Sequence, residues 1–268
     1  MNFKRPLPRA LCWSIVERPI TLLATIHTGP FGGYQFPPMA DALIHGADIA
    51  YFEIDPLEKW DIGFMFRPTN SATTLLQEVG PAIYRRLEQE LSLNRPLANC
   101  AAGGIGDLIE LSTPTQMTAG YEMDWGVDRT VCQRYRAQKK EIRFLETSED
   151  QGRAAVSGPL HEIVAELDAW RTTGCLPRAD STQILNAYEA ADLPTLARLR
   201  SELAPLRPTR ILAQLQERES RWLEKIVDIA AEKKSVLIAA GVLHFPGEDG
   251  LLSQLSRRDF TVLDIGSQ

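Results

Sequence analysis

The sequence predicts an α/β fold: a mixed or parallel central sheet with flanking helices and a helical insertion. Three observations carry this. Short apolar runs of strand length alternate with helical patterns, as βαβ units require. Two of those runs, Ile20-Thr-Leu-Leu-Ala-Thr-Ile26 and Ser235-Val-Leu-Ile-Ala-Ala240, lead into a histidine, His27 and His244, and then into a Gly/Pro-rich loop. Between about 149 and 233 the pattern is helical throughout, which reads as an insertion in a single domain spanning 1–268.

The elements follow in chain order. Leu11–Val16 is the first strand, Glu17-Arg18-Pro19 a turn, and Ile20–Ile26 the second strand. Thr28–Pro38, with Gly29, Gly32 and Gly33, is a loop into a helix from Met39 to His45 or Gly46. Asp48–Ile54 is the third strand; it ends at Glu53-Ile-Asp55-Pro56, where proline has no N–H for a ladder. Leu75, Leu76, Val79, Ile83 and Leu87 are spaced for a helix from about Asn70 to Ser92, with Asn70 or Ser71 as N-cap. Residues 97–113 read as helical or irregular. Asp128–Gln138 reads as a helix capped by Asp128, and Glu141–Glu146 as a short strand. Ser148-Glu-Asp-Gln151 starts a helix, and helices at about 149–172, 182–190, 194–203 and 208–233 are separated by Gly174, Pro177 and Pro205/Pro208. A strand at 235–240, a helix at 250–257 and a strand at 260–265 close the pattern.

Composition narrows the function classes. The net charge of −6 argues against a nucleic-acid footprint, and the densest basic stretch, Arg134–Lys140, reads as a solvated helix end before a strand. Cys12, Cys100, Cys132 and Cys175 form no Cys-x-x-Cys pair, so free, mostly buried thiols are expected, with one disulfide left open. No apolar stretch reaches the ~18–20 residues of a membrane span. Ala10–Val16 is too short for a secretory signal, so the chain as it stands reads as cytoplasmic, or as periplasmic or secreted if a signal has been removed. His45 and His161 read as exposed helix residues. Ala102-Gly-Gly-Ile-Gly106 lacks the spacing of a dinucleotide loop and reads as a turn. Trp13, Trp125, Trp170 and Trp222 read as core or helix-packing residues.

The chemistry concentrates at strand ends. The chain has four histidines, and two of them occupy matching positions: each closes an apolar strand, precedes a loop and helix, and is followed by a strand bearing a carboxylate. Ancient duplication and ordinary recurrence of βαβ units both produce such an echo. Glu53, Asp55 and Glu146 also sit at strand ends. In a parallel sheet His27, Glu53, Glu146 and His244 project from one edge, the carboxyl edge where α/β proteins bind ligands. Two imidazoles with carboxylates suit a divalent transition metal that lowers the pKa of bound water and polarises a carbonyl. Without metal the same set supports acid–base work, with His as base and Glu as orienter or acid. No nucleophile elbow and no His-Glu-x-x-His helix is present.

These residues fall within a longer ordered series. Leu11-Cys-Trp13 precedes Leu22-Leu-Ala-Thr-Ile-His27; Ala47-Asp48 precedes Phe52-Glu53-Ile-Asp55; then come Trp125-Gly-Val-Asp128, Phe144-Leu-Glu146-Thr-Ser-Glu-Asp-Gln151, Ala169-Trp170-Arg171, Arg218 with Trp222, and Gly241-Val-Leu-His244-Phe-Pro-Gly247-Glu-Asp-Gly250-Leu-Leu252. In this order the chain resembles, over about 10–265, the TraB/PrgY/GumN family, related to the Tiki metalloproteases and more distantly to erythromycin esterases and haem-binding ChaN proteins. The resemblance implies an erythromycin esterase/ChaN-like α/β fold with a helical insertion and a site built from both Gly-x-x-His motifs: His27, Glu53, Glu146, Arg218 and His244. It implies a hydrolase directing activated water at a peptide amide or ester. A divalent metal (Mn, Co, Zn or Fe) would be held by His27, Glu53, Glu146 and His244, and Arg218 would serve a developing anion. The alternative is a non-catalytic protein that binds a peptide or haem in the same cleft. The expected partner is a small-molecule or peptide substrate, and the oligomeric state is left open. Two positions depart from the family pattern: Ala24 stands where glycine is usual, which would strain a positive φ, and Glu219 follows Arg218 where asparagine is common.

Overall fold

The computed structural model describes residues 4–58, 76–77, 80–82, 84–85, 120–155, 157, 162, 181–203, 205, 208–231 and 234–266. Its centre is a six-stranded mixed sheet of β2 (Cys12–Ile15), β3 (Ile20–Thr25), β6 (Ile49–Phe52), β8 (Glu141–Phe144), β9 (Val236–Gly241) and β10 (Val262–Asp264), in the order β10-β2-β3-β9-β6-β8. β3, β9, β6 and β8 run parallel, whereas β2 is antiparallel to both β3 and β10. Three two-residue strands (β1, Arg5–Pro6; β4, Gly29–Pro30; β5, Tyr34–Gln35) and a fourth (β7, Tyr121–Glu122) form two small ribbons beside it.

The parallel centre follows from the sequence. Every residue of β3 and β6 is buried, and so is all of β9 except Gly241. Strands covered on both faces read as continuous apolar runs, not alternating ones. The covering helices are α1 (Pro38–Gly46), α2 (Val127–Ala137), α3 (Ser148–Ala155), α4 (Ser181–Glu189), α5 (Leu193–Leu203), α6 (Pro208–Ile211), α7 (Glu217–Ile229) and α8 (Leu251–Arg257). Between β8 and β9 the described elements are all helical.

The two His-bearing units do not lie side by side. β9 enters between β3 and β6, so the β3–α1–β6 crossover spans it, while β9–α8–β10 crosses to the far edge of the sheet. This interleaving makes β3 and β9 direct neighbours, with Thr25 opposite Gly241, and brings both histidine loops to the same carboxyl edge.

Other expectations are corrected in detail. The N-cap of α2 is Gly126 and not Asp128, which lies inside the first turn and makes no capping bond. The helix expected over 208–233 is interrupted by a π turn, Leu212–Gln216, before α7. His45 is not an exposed helix residue: its side chain is only 11% exposed, with Nε2 3.3 Å from Asp41. Burial first, and then the Arg134 charge, press its pKa down to about 4. Ala24 sits in regular β3 opposite Ala240 and carries no positive φ, so it is not strained. Of the basic stretch, Arg136 pairs with Asp55 and Lys140 donates to the carbonyls of His45 and Ala47, so it ties loops down as well as facing solvent.

Trp13 stacks on Phe245 and Trp222 is fully buried, as core residues should be. Cys12 and Cys132 are buried free thiols. Cys100, Cys175, His161, Trp170, the 97–113 segment and most of the helix expected over 70–92 lie outside the described residues. No helix among the described residues is long and apolar enough to cross a membrane.

Candidate active site

The site grows from the carboxyl ends of four adjacent parallel strands. His27 follows β3, His244 follows β9 in a tight 3₁₀ turn (Val242–His244), Glu53 follows β6 and Glu146 follows β8. The backbone pairing of β6 with β8 continues past their ends, Leu145 N–H to Phe52 O and Glu146 N–H to Glu53 O, which sets the two glutamates abreast.

Between those glutamates sits Arg218, on the first turn of α7. Its Nη2 lies 2.5 Å from Glu53 Oε2, and its Nε donates to both oxygens of Glu146 at 2.9 and 3.1 Å. Its Nη1 donates at 3.1 Å to the carbonyl of Gln214, inside the π turn. Its guanidinium carbon lies 4.6 Å from the centre of the Trp222 ring, one turn further along the same helix. Such charge-assisted, planar pairing needs an arginine.

Glu53 is the focus of this cluster. Its Oε1 accepts the Gly241 N–H and lies 3.7 Å from His244 Nε2; its Oε2 also receives Gln151 Nε2 at 3.4 Å. Gly241 leaves room for this approach: a Cβ there would lie 3.1 Å from Glu53 Oε1 and press on the carboxylate. Burial raises the Glu53 pKa, but Arg218, His244, His27 and the Gly241 N–H outweigh it and hold the carboxyl down to about 2. Burial prevails at Glu146, whose pKa is raised despite Arg218. Two carboxylates sharing one guanidinium are thus pushed apart, which favours a charged Glu53.

His244 is enclosed. Its side chain is 6% exposed, its ring lies 4.5 Å from that of Trp222, and its Nδ1 is 3.0 Å from Glu219 Oε1. Glu219, next to Arg218 on α7, is fully buried and gripped by Arg200 of α5, whose Nη1 and Nη2 reach its two oxygens at 2.6 and 2.8 Å. Burial would raise the Glu219 pKa; the bonds to Arg200 and His244 lower it.

His27 stands apart from this network. Its side chain is 62% exposed, and its Nδ1 is 2.8 Å from Asp128 Oδ2. The docking of α2 explains that pairing. Val127 N–H donates to Ile26 O, so the first turn of the helix lands on the end of β3. Gly126 permits the approach: a Cβ there would lie 2.4 Å from the His27 carbonyl oxygen and 2.9 Å from Asp128 Oδ1. The Gly-Val-Asp run therefore reads residue by residue as close approach, buried anchor and imidazole partner. The Asp128 charge, together with its hydrogen bond, holds the His27 pKa up, to about 9.

A cleft of about 610 Å³ opens at this edge. His27, Asp128, Glu53, Asp55, Asp124, Arg129 and Gln151 supply its polar wall, and Phe52, Ile54, Pro56, Leu57, Met123 and Ala239 its apolar wall. His244, Glu146 and Arg218 do not line it. The structure thus joins Glu53, Glu146, Arg218 and His244 in one buried network that reaches the cleft at Glu53, and puts His27 in the cleft itself. Asp128, Glu219 and Arg200 join the candidate site. Asp128 carried a sequence signal in the Gly-Val-Asp helix start and Glu219 one as a departure from the family pattern; Arg200 carried none.

As placed, the residues do not fit a divalent metal. Among the described residues no group of three or more His, Cys, Asp or Glu side chains is arranged to hold one. A guanidinium occupies the place between Glu53 and Glu146.

A model of the TraB/PrgY/gumN family matches residues 12–263. No curated protein matches the chain, and no solved structure does.

Proposed function

The chain belongs to the TraB/PrgY/gumN family, and from that premise we propose that it is a hydrolase directing an activated water at an ester or peptide amide carbonyl held in the cleft. The observation that carries this reading is the His27–Asp128 pair: an imidazole open to the cleft, oriented through Nδ1 by a carboxylate. Asp128 accepts a hydrogen bond from the Nδ1–H and leaves Nε2 to take a proton from water, while its carboxylate stabilises the imidazolium that results. Glu53, held ionised on the cleft wall, orients the water. Arg218, shared between two glutamates, positions Glu53 and does not itself reach the substrate. The apolar wall from Ile54 to Leu57 and Met123 receives the group beside the scissile bond. The substrate in this reading is a small-molecule ester or a peptide.

The test is turnover of a panel of p-nitrophenyl esters and fluorogenic peptides by the wild-type protein and by His27→Ala, with metal content measured in parallel. Turnover lost in the variant and untouched by chelation supports the reading. Turnover that survives His27→Ala sinks it. So does turnover abolished by chelation and restored by one divalent metal, which would return the site to metal hydrolysis. A Soret band on haem titration with no turnover would make the cleft a binding site. An imidazole base held up by Asp128 also requires kcat/KM to climb with pH towards about 9; a falling limb over that range would assign the imidazolium as an acid.

A further inference from the structure

The buried side of the site contains a charge pair that the reaction outlined above does not use. Arg200 and Glu219 are both buried, and their bidentate pairing joins α5 to α7 beneath the His244 loop. Desolvating two charges cancels much of what their attraction gains, so such pairs are commonly no better for stability than apolar residues of similar size. Stability alone is therefore a poor explanation for this one.

Its contacts supply another. Arg200 Nη1 donates not only to Glu219 but also to the carbonyl of Leu243 at 2.6 Å, and Nη2 reaches the carbonyl of Asp249 at 3.5 Å. Gln254 of α8 donates to Glu219 Oε2 at 3.4 Å and to the carbonyl of Asp249 at 2.6 Å. One guanidinium thus fixes the backbone on both sides of His244 together with the carboxylate that meets its ring. An ionised Glu219 only accepts, so the ring must carry a proton on Nδ1, and its Nε2 edge faces Glu53 Oε1 across 3.7 Å, beyond hydrogen-bond reach.

We infer that Glu219 and Arg200 are positioning residues: they fix the His244 ring and the backbone of its loop, and the Gly241 N–H at the start of that loop holds the Glu53 carboxylate in its working place on the cleft wall. The inference rests on the hydrolase reading for its consequence in turnover but not for its consequence at the imidazole.

The experiment compares the full-length wild type with Glu219→Gln and with the double variant Arg200→Met/Glu219→Met, which removes both charges together and leaves neither stranded. Two readouts are taken. ¹⁵N NMR of the histidine rings, with His244 assigned by its absence in His244→Gln, reports which nitrogen carries the proton. Steady-state kinetics on whichever substrate the panel yields reports kcat and KM separately. The expected result is a folded double variant in which His244 no longer keeps its proton on Nδ1, and in which kcat falls about 10- to 100-fold, the usual cost of removing an orienting partner, with KM little changed. Glu219→Gln should shift the same ring signals if the double variant fails to fold. Unchanged ring signals in a folded variant overturn the inference, as does a shift in the ring signals with full turnover. If the wild type turns over no substrate but the ring signals move as expected, the hydrolase reading fails and the positioning of His244 stands.

Discussion

The two strand-end histidines differ in almost everything except sequence context. Each closes an apolar parallel strand, and each has a carboxylate on Nδ1: Asp128 at 2.8 Å for His27 and Glu219 at 3.0 Å for His244. Yet the His27 side chain is 62% exposed and the His244 side chain 6%. The difference lies in the helix that brings the carboxylate. α2 meets the end of β3 with its first turn and leaves the ring open to the cleft. α7 sets Trp222 against the ring and encloses it. In the proposed reaction one imidazole exchanges protons in the cleft, while the other anchors the loop whose Gly241 N–H meets Glu53. A duplicated motif need not mean a duplicated role.

The sharpest test of that contrast is removal of each ring. His27→Ala should lower kcat by about 10²- to 10⁴-fold, the usual contribution of a positioned acid–base group, and leave the urea midpoint almost unmoved because the side chain is exposed. His244→Ala should also lose activity but should unfold at lower urea, by ~2–4 kcal/mol, since it opens a cavity under Trp222 and removes a partner from buried Glu219. Equal stability losses in the two variants would erase the distinction.

The carboxylates should separate in the same way. Glu219→Ala strands the Arg200 charge and should cost ~3–5 kcal/mol, whereas Asp128→Ala opens a pair whose imidazole is exposed and should cost about 1 kcal/mol or less. Denaturant titration of both variants decides this. Gly126→Ala probes how α2 docks: its new Cβ would press on the His27 carbonyl, so a loss of ~1–3 kcal/mol is expected, together with a fall in kcat/KM as Asp128 is pushed from His27. Full activity in a destabilised Gly126→Ala would show that the spacing of the pair is uncritical.

The smallest effect is in pH. The His27 pKa rises on folding from 6.5 to about 9, with the Asp128 charge as the main cause. A raised folded value means that the contribution of the pair is fully present below pH 6.5 and disappears as pH rises through 9. The gap in thermal midpoint between wild type and Asp128→Asn should therefore narrow across that interval; a constant gap would remove the charge interaction from the account.

Much of this edge was legible because strand ends are. An apolar run that stops at His27, Glu53, Glu146 or His244 announces both the strand and the side chain at its mouth, and parallel order then gathers them. Arg218 was legible only through the family resemblance. The partners were hidden for physical reasons. Asp128 looks like any N-cap, because the same carboxylate that can cap a helix can also meet an imidazole, and only the docking angle decides. Glu219 and Arg200 lie 19 positions apart on two helices whose packing no local pattern reveals. The exposed reading of His45 failed similarly: its helix pattern is polar, but α1 turns that residue towards α2, which brings Arg134 near it.

The π turn at Leu212–Gln216 carries a consequence for the alignment of any sequence with this one. A π turn holds one residue more than the α-helical turn it replaces, and each residue advances the helix by about 100°. Deleting one residue from this stretch would let 208–229 run as an uninterrupted α-helix with the turns on either side nearly in phase, because the wide turn already absorbs the extra residue. The same deletion within the regular turn from Glu217 to Trp222 would instead swing every residue beyond it by about 100°. A one-residue gap at 212–216 between this sequence and another therefore leaves Arg218, Glu219 and Trp222 on the same face, whereas a gap a few positions later takes the site apart.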